Sequence, residues 1–152
     1  MPRMIDVKVT VSEDYGDLPL PYYQTDGSSG LDLYAAIPEN EPIVFPSKYT
    51  RLIPTGIFLQ IPQGYEAQIR PRSGFALKKQ VTVLNSPGTI DSDYREEVGV
   101  ILTNFGNCDV IIERGYRIAQ MVFAPVTHAT LWLDNKLDDT SRKGGFGSTG
   151  KK

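Results

Sequence analysis

Residues 5–11 read "IDVKVTV", and their alternation decides the class of fold. Successive side chains of a strand point to opposite faces, so Ile5, Val7, Val9 and Val11 share one face and Asp6, Lys8 and Thr10 the other. The same period returns in "YEAQIR" through Tyr65, Ala67 and Ile69. Working outward, strands are predicted in "LDLYAA", "PIVF", "YTRLIPT", "GIFLQIP", "QVTVL", "EVGVILTN", "CDVIIE", "YRIAQMVFAPV" and "ATLWL". Breaks such as "TDGSSG", "IPQG", "NSPG" and "NFGN" separate them, and 14 Gly with 11 Pro supply enough turn formers to punctuate many short strands. Only "GFALKKQ", residues 74–80, offers a helical turn. The pattern predicts an all-β, jelly-roll-like barrel or sandwich with one short helix. Apolar periodicity stops in "KLDDTSRKGGFGSTGKK", so a β-domain over 1–137 and a flexible C-terminal arm over 138–152 are expected.

A chain of 152 residues with 40% hydrophobic and 22% charged residues reads as one ordinary globular domain. Its formal net charge of −2 gives no basic surface for duplex nucleic acid or an anionic membrane, and neither partner is expected. A single cysteine, Cys108, excludes an intramolecular disulfide framework and fits a reducing compartment. The opening residues carry no apolar signal core, and no segment approaches the roughly 20 apolar residues of a membrane span. A soluble, cytoplasmic protein is the expectation. With one histidine and one cysteine, a zinc site of Cys and His ligands cannot be built within the chain. His128 falls in "PVTHATLWL", which reads as a strand with a structural histidine. Carboxylates, water and a bound ion are left to carry any chemistry.

Negative charge is crowded into "NSPGTIDSDYREEVGVILTN", residues 85–104, by Asp91, Asp93, Glu96 and Glu97. This is no EF-hand: counting from Asp91, Arg95, Glu96 and Leu102 stand where an acid or Asn, the Gly and the final Glu belong. "GFGSTGKK" approaches a P-loop but ends on Lys152 where Ser or Thr is required, and no strand pattern precedes it. Its glycines, Ser148 and Thr149 can still offer N–H and hydroxyl groups to phosphate oxygens, and Phe146 is an aromatic ring in a polar tail. "RPRSGFA", residues 70–76, sets Arg72, Ser73 and Gly74 where a strand meets the helix. A guanidinium fork, a hydroxyl and a close backbone approach suit phosphate oxygens there; a plain turn with a surface arginine is the alternative. Asp32 lies inside a strand pattern, where Asp is depleted, either as an outward solvated residue or as a carboxylate facing a bound cation. Arg117 and Gln120, in a strongly apolar strand, read as satisfied edge residues or as ligand contacts.

Taken in series, "SSGLDLYAA", "PRSGFA", "NSPGTIDSDYREEVGVILTN", "RGYRIAQMVF" and "GGFGSTG" resemble the five motifs of the trimeric deoxyuridine triphosphatase (dUTPase) family. Two departures are visible. Glu96 stands where the family has Gly, and Arg142 lies one residue closer to the Gly-Gly-Phe than usual. The resemblance implies hydrolysis of dUTP to dUMP and pyrophosphate, which keeps uracil out of DNA and supplies dUMP for thymidylate synthesis. It also implies a homotrimer with sites shared between subunits and a requirement for Mg2+, met by Asp32 through a water. Asp91 corresponds to the catalytic aspartate that holds the attacking water against the α-phosphorus. The third motif is a β-hairpin in which Asn85, main-chain groups of Gly88, Thr89 and Ile90, and Gly99 read uracil. Tyr94 packs beneath the deoxyribose. Arg72, Ser73, Gly74 and Gln120 hold the phosphates, and Arg142, Phe146, Gly147, Ser148 and Thr149 come from the closing arm. Asp93, Glu96 and Glu97 are expected to face solvent or to pair with arginines such as Arg95.

Two rivals belong to other classes. A dCTP deaminase on the same fold would carry Arg-Ser-Ser and a glutamate base; the chain has Arg72-Ser73-Gly74 and Asp91. A non-catalytic, nucleotide-sensing trimer would have no need of both Asp91 and Phe146.

Overall fold

Short β-branched and aromatic runs between glycine and proline breaks do form strands, and they stack as small antiparallel sheets around one core. The computed structural model describes residues 4–146 together with Ser148 and Gly150. Gly147 and Thr149, expected to bind phosphate, lie outside the described residues. The strands are β1 (Lys8–Val11), β2 (Leu31–Tyr34), β3 (Ile43–Phe45), β4 (Thr50–Pro54), β5 (Ile57–Gln60) and β6 (Tyr65–Arg70). Helix α1 (Ser73–Lys79) follows, then β7 (Val81–Val83), β8 (Gly88–Ile90), β9 (Gly99–Asn104), β10 (Val110–Ile112) and β11 (Arg117–Pro125). A four-stranded sheet runs β2-β11-β6-β8 and a three-stranded one β4-β9-β7, with β1-β5 and β10-β3 as pairs. The all-β expectation holds.

Alternation explains the core. Leu33, Phe45, Ile53, Ile57, Leu102, Ile112 and Ile118 are each buried to 1% exposure or less, one from each of seven strands. Burying each such side chain contributes roughly 1.5–3 kcal/mol. Ala67 and Ile69 of β6 point inward as their period predicts. Between β4 and β5 the chain reverses at Gly56, whose φ of +68° favours glycine, and an added Cβ would lie 2.9 Å from the Tyr15 ring.

The valine face of β1 is largely exposed, Val9 at 40% and Val11 at 46%, because β1 is an edge strand paired with β5. Ile5, Val7 and Val9 instead border an apolar cavity of about 500 Å3 shared with Leu59, Met121 and Phe123. "ATLWL" forms no strand; β11 ends at Pro125, and Leu131, Trp132 and Leu133 are 92%, 81% and 100% exposed. Among the described residues that run pairs with no strand edge, and a strand has nothing to bond to without one. His128 therefore stands on an exposed segment rather than in a sheet. Nor do β8 and β9 form a hairpin: β8 pairs with β6, while β9 pairs with β4 and β7. Ile90 and Val98 both enter the core, so residues 91–97 cross from one sheet to the other.

Candidate functional site

The four-stranded sheet brings four separated motif residues together. Asp32 of β2 faces Gln120 of β11 in register, and Gln120 faces Arg70 of β6 on its other side. Arg72 follows β6 after Pro71 and occupies the N-cap position of α1, its side chain making no capping bond. Asp32 is not an outward, solvated residue. It is 9% exposed, and both its oxygens accept from guanidinium groups, Oδ1 from Arg72 Nε at 2.9 Å and Oδ2 from Arg117 Nη1 at 3.2 Å. Arg72 Nη1 also donates to the Arg117 carbonyl at 3.1 Å. Gln120 Nε2 donates to the Pro71 carbonyl at 2.9 Å, so Gln120 supports the turn that carries Arg72 and Ser73. Gly30 is packed under Gln120: a Cβ there would lie 2.5 Å from Gln120 Oε1. Ser73 and Gly74 are exposed on the first turn of α1, with open space around Gly74.

Electrostatics favour an anion here. Two arginines, Arg72 and Arg117, share the single carboxylate of Asp32, while the Arg70 guanidinium donates to Gln68 Oε1; Lys78 and Lys79 extend the cationic wall. Arg72, Gly74, Lys78, Lys79 and Arg117 line a cavity of about 840 Å3, while Arg70, Ser73 and Gln120 line another of about 530 Å3 with Ser86 and Pro87. Beside Asp32, burial pushes the Tyr34 hydroxyl up from its ordinary value, with Tyr22 and Asp32 adding to the effect and Arg117 opposing it. Tyr34 therefore stays a neutral wall of the cluster.

Residues 85–99 make a second, separate arrangement. Asn85 sits against Gly88, whose added Cβ would lie 3.3 Å from Asn85 Nδ2. Thr89 faces Gln68 in register and points outward, while Ile90 is buried. Asp91 follows at the end of β8, exposed, and its carbonyl accepts from the Tyr94 N–H at 3.1 Å. Tyr94 Oη donates to the Glu97 carbonyl at 2.9 Å, which holds the half-exposed ring across the turn. Glu97 is structural: its Oε1 accepts from the Gly56 N–H at 2.7 Å. Arg95 donates to the carbonyls of Ser92 and Tyr94 instead of to a carboxylate. Gly99 leaves room for Leu52, whose Cδ1 would lie 2.6 Å from a Cβ at that position.

Within one chain the two arrangements touch only where Ser86 and Pro87 border Ser73 and Gln120, and Asp91 lies in a different cavity. Asp91 lines a cavity of about 710 Å3 with Glu66, Asp93, Arg95 and His128, none of which borders the arginine cluster's cavities. On the arm, Phe146 is fully exposed, the Ser148 N–H donates to the Gly145 carbonyl, and the Arg142 N–H donates to the Thr140 hydroxyl. Among the described residues no group of three or more His, Cys, Asp and Glu could hold a metal ion. Both oxygens of Asp32 already accept from arginines, which suits a contact to a metal through water rather than a direct bond. A hydrated Mg2+ carried on phosphate oxygens needs no protein cage, and an outer carboxylate at Asp32 fits it. Arg117 is the residue whose place the sequence left undecided between edge and site. Its signal is a charged residue in a strand that otherwise reads as core.

A family model described as dUTPase matches residues 17–150. The deoxyuridine 5'-triphosphate nucleotidohydrolase of Maricaulis maris is 49% identical over 149 residues, covering 97% of this chain and 98% of that protein. Its namesake from Methylocella silvestris is 58% identical over 135 residues, covering 88% and 84%. Among solved structures, a Staphylococcus bacteriophage 80alpha dUTPase variant with dUpNHpp superposes with a TM-score of 0.81 at 22% identity, covering 97% of this chain and 99% of that one. A dUTPase variant from phage phi11 of S. aureus, described with a structural Mg(II) ion, gives 0.77 at 20% identity, covering 89% and 100%.

Proposed function

The chain belongs to the dUTPase family, and from that premise we propose that it hydrolyses dUTP to dUMP and pyrophosphate. The observation that carries the reading is the arginine pair built on Asp32, which brings residues of three motifs together at one cationic surface. Arg72, Ser73, Gly74 and Gln120 hold the phosphate chain. Asn85 and the main chain of Gly88, Thr89 and Ile90, with Gly99, present fixed donors and acceptors to the uracil edge. Such a site rejects a mismatched base because its own polar groups would be left unpaired. Tyr94, braced by its bond to the Glu97 carbonyl, lies beneath the sugar, where a 2′-hydroxyl would collide.

Asp91 orients a water for in-line attack on the α-phosphorus and takes its proton; pyrophosphate departs. Its contribution is chiefly positional, since a carboxylate is a weak base. Mg2+, when bound, neutralises phosphate charge and makes the phosphorus more electrophilic; Asp32 would hold it through a water. Residues 138–152 form an arm that covers the bound nucleotide with Phe146, Ser148 and Thr149, while Arg142 reaches the phosphates. Because Asp91 and Arg72 line different cavities of one chain, a homotrimer that places one subunit's 85–99 segment against another's arginine cluster completes the site. Light scattering that finds a fully active monomer would refute that assembly.

The deciding experiment measures pyrophosphate release from dUTP, dCTP, dTTP and UTP side by side. dUTP should be the preferred substrate by a wide margin. Asp91→Asn should lower turnover by roughly 10²-fold or more while dUTP still binds. Unchanged turnover in that variant would overturn the role of Asp91.

A further inference from the structure

Arg117 is placed by an irregularity that strand alternation alone would not produce. Along β11, Met121, Gln120 and Ala119 face Leu31, Asp32 and Leu33 in unbroken antiparallel register. The register then slips, and Arg117 faces Tyr34. An odd spacing of three residues would put Arg117 and Gln120 on opposite faces of a regular strand. The one-residue bulge cancels that parity and turns Arg117 onto the face of Asp32, and bulges commonly re-aim a side chain in this way.

We infer that Arg117 is a positioning residue that fixes Arg72 for phosphate binding. It acts twice. Its guanidinium takes Oδ2 of Asp32 at 3.2 Å, which leaves Oδ1 to Arg72 Nε at 2.9 Å. Its main-chain carbonyl accepts from Arg72 Nη1 at 3.1 Å. An arginine has five N–H donors; two of Arg72's are thereby held inside the chain and the remaining three are left for oxygens of a ligand. A buried carboxylate shared by two cations keeps Arg72 attached without neutralising the cluster. With a single cation, Asp32 would instead capture the Arg72 fork bidentately, the geometry that carboxylate and guanidinium prefer. Arg72 would then offer fewer donors to phosphate. The inference rests on the reading of Arg72 as a phosphate ligand, and the test separates the two.

Arg117→Gln, Arg117→Lys and Arg72→Gln are compared for binding of dUpNHpp and of dUMP by calorimetry, and for melting temperature. Arg117→Gln should weaken dUpNHpp binding roughly tenfold or more and dUMP binding little, because the loss falls on the phosphate tail. Lysine, which restores the charge on Asp32, should recover part of that loss. The ion pair is partly exposed, so the melting temperature should move by less than about 4 °C. Asp32→Asn combined with Arg117→Gln should be no worse than Asp32→Asn alone, since Arg117 acts through Asp32. Equal weakening of both ligands, or unchanged dUpNHpp binding in Arg117→Gln when Arg72→Gln loses it, would overturn the inference and leave the role of Arg72 standing. If Arg72→Gln also binds dUpNHpp normally, the phosphate role of Arg72 fails first and the inference with it.

Discussion

Replacing Gly30 by alanine separates the stability of the sheet from the competence of the site. A Cβ at Gly30 would stand 2.5 Å from Gln120 Oε1 and 3.3 Å from both Gln120 Cβ and Cδ. The first contact cannot persist, and the Gln120 stem is fixed by strand pairing on both sides. The amide must therefore swing away, breaking its bond to the Pro71 carbonyl. Losing that bond costs about 0.5–1.5 kcal/mol, and the tight Cβ contact adds some strain. For a domain of this size the melting temperature should fall by roughly 2–6 °C. Catalysis should suffer more, since misplacing a phosphate-holding group by about 1 Å can cost roughly 10²-fold. The assay is pyrophosphate release from dUTP beside a calorimetric melt. Gly74→Ala is the complement: nothing lies within 4 Å of its Cβ, and alanine favours a helix by about 1 kcal/mol. That variant should melt no lower, yet lose activity wherever phosphate needs a bare backbone. A folded Gly30→Ala protein with full turnover would refute the assignment of Gln120.

Three further outcomes are expected. Tyr94→Ala should erode the preference for dUTP over UTP, whereas Tyr94→Phe, which keeps the ring and loses only the bond to the Glu97 carbonyl, should retain most of it; equal selectivity in all three proteins would remove the sugar-stacking role. Truncation after Asp139 should leave the melting temperature unchanged and abolish most turnover, with Phe146→Ala doing so in part, as expected for an exposed arm outside the core; normal turnover without the arm would show it is dispensable. Alkaline stability should depend on Tyr15 and Tyr34, whose hydroxyls are raised above the ordinary value near 10, in both chiefly by burial. The folded chain keeps these protons longer than the unfolded chain, so their contribution is intact below about pH 10 and is lost as pH rises through the raised folded values. Tyr15→Phe should flatten that decline, and an unchanged alkaline profile would count against it.

Most strands were legible because a two-residue period needs only local sequence, and β6 coincides with "YEAQIR" from Tyr65 to Arg70. The strand β8 was not, since Gly88–Ile90 opens on a glycine straight after the turn formers Asn85, Ser86 and Pro87 and reads as part of that break. "ATLWL" misled for the opposite reason: its composition suits a strand, but a ladder also needs a neighbouring edge, which composition does not encode. The order of the five motifs was plain, whereas their grouping was not. Asp32, Arg72 and Gln120 meet because β11 lies between β2 and β6, a fact of topology rather than of spacing. Arg117 was ambiguous because the bulge at its side reverses the face that counting assigns to it.

The central place of β11 also bears on how the molecule is made. β2 and β6 have no direct pairing; each is bonded to β11, and β11 follows both in the chain. During synthesis the four-stranded sheet therefore cannot close until its last strand has emerged, even though β2, β6 and β8 are already available. The ion pair from Arg117 to Asp32 spans 85 residues of sequence, and pairings so distant place folding in the slow range of roughly milliseconds to seconds. Until then β2 and β6 each keep an open edge, and the nascent chain carries Asp32 and Arg72 without the strand that brings them together.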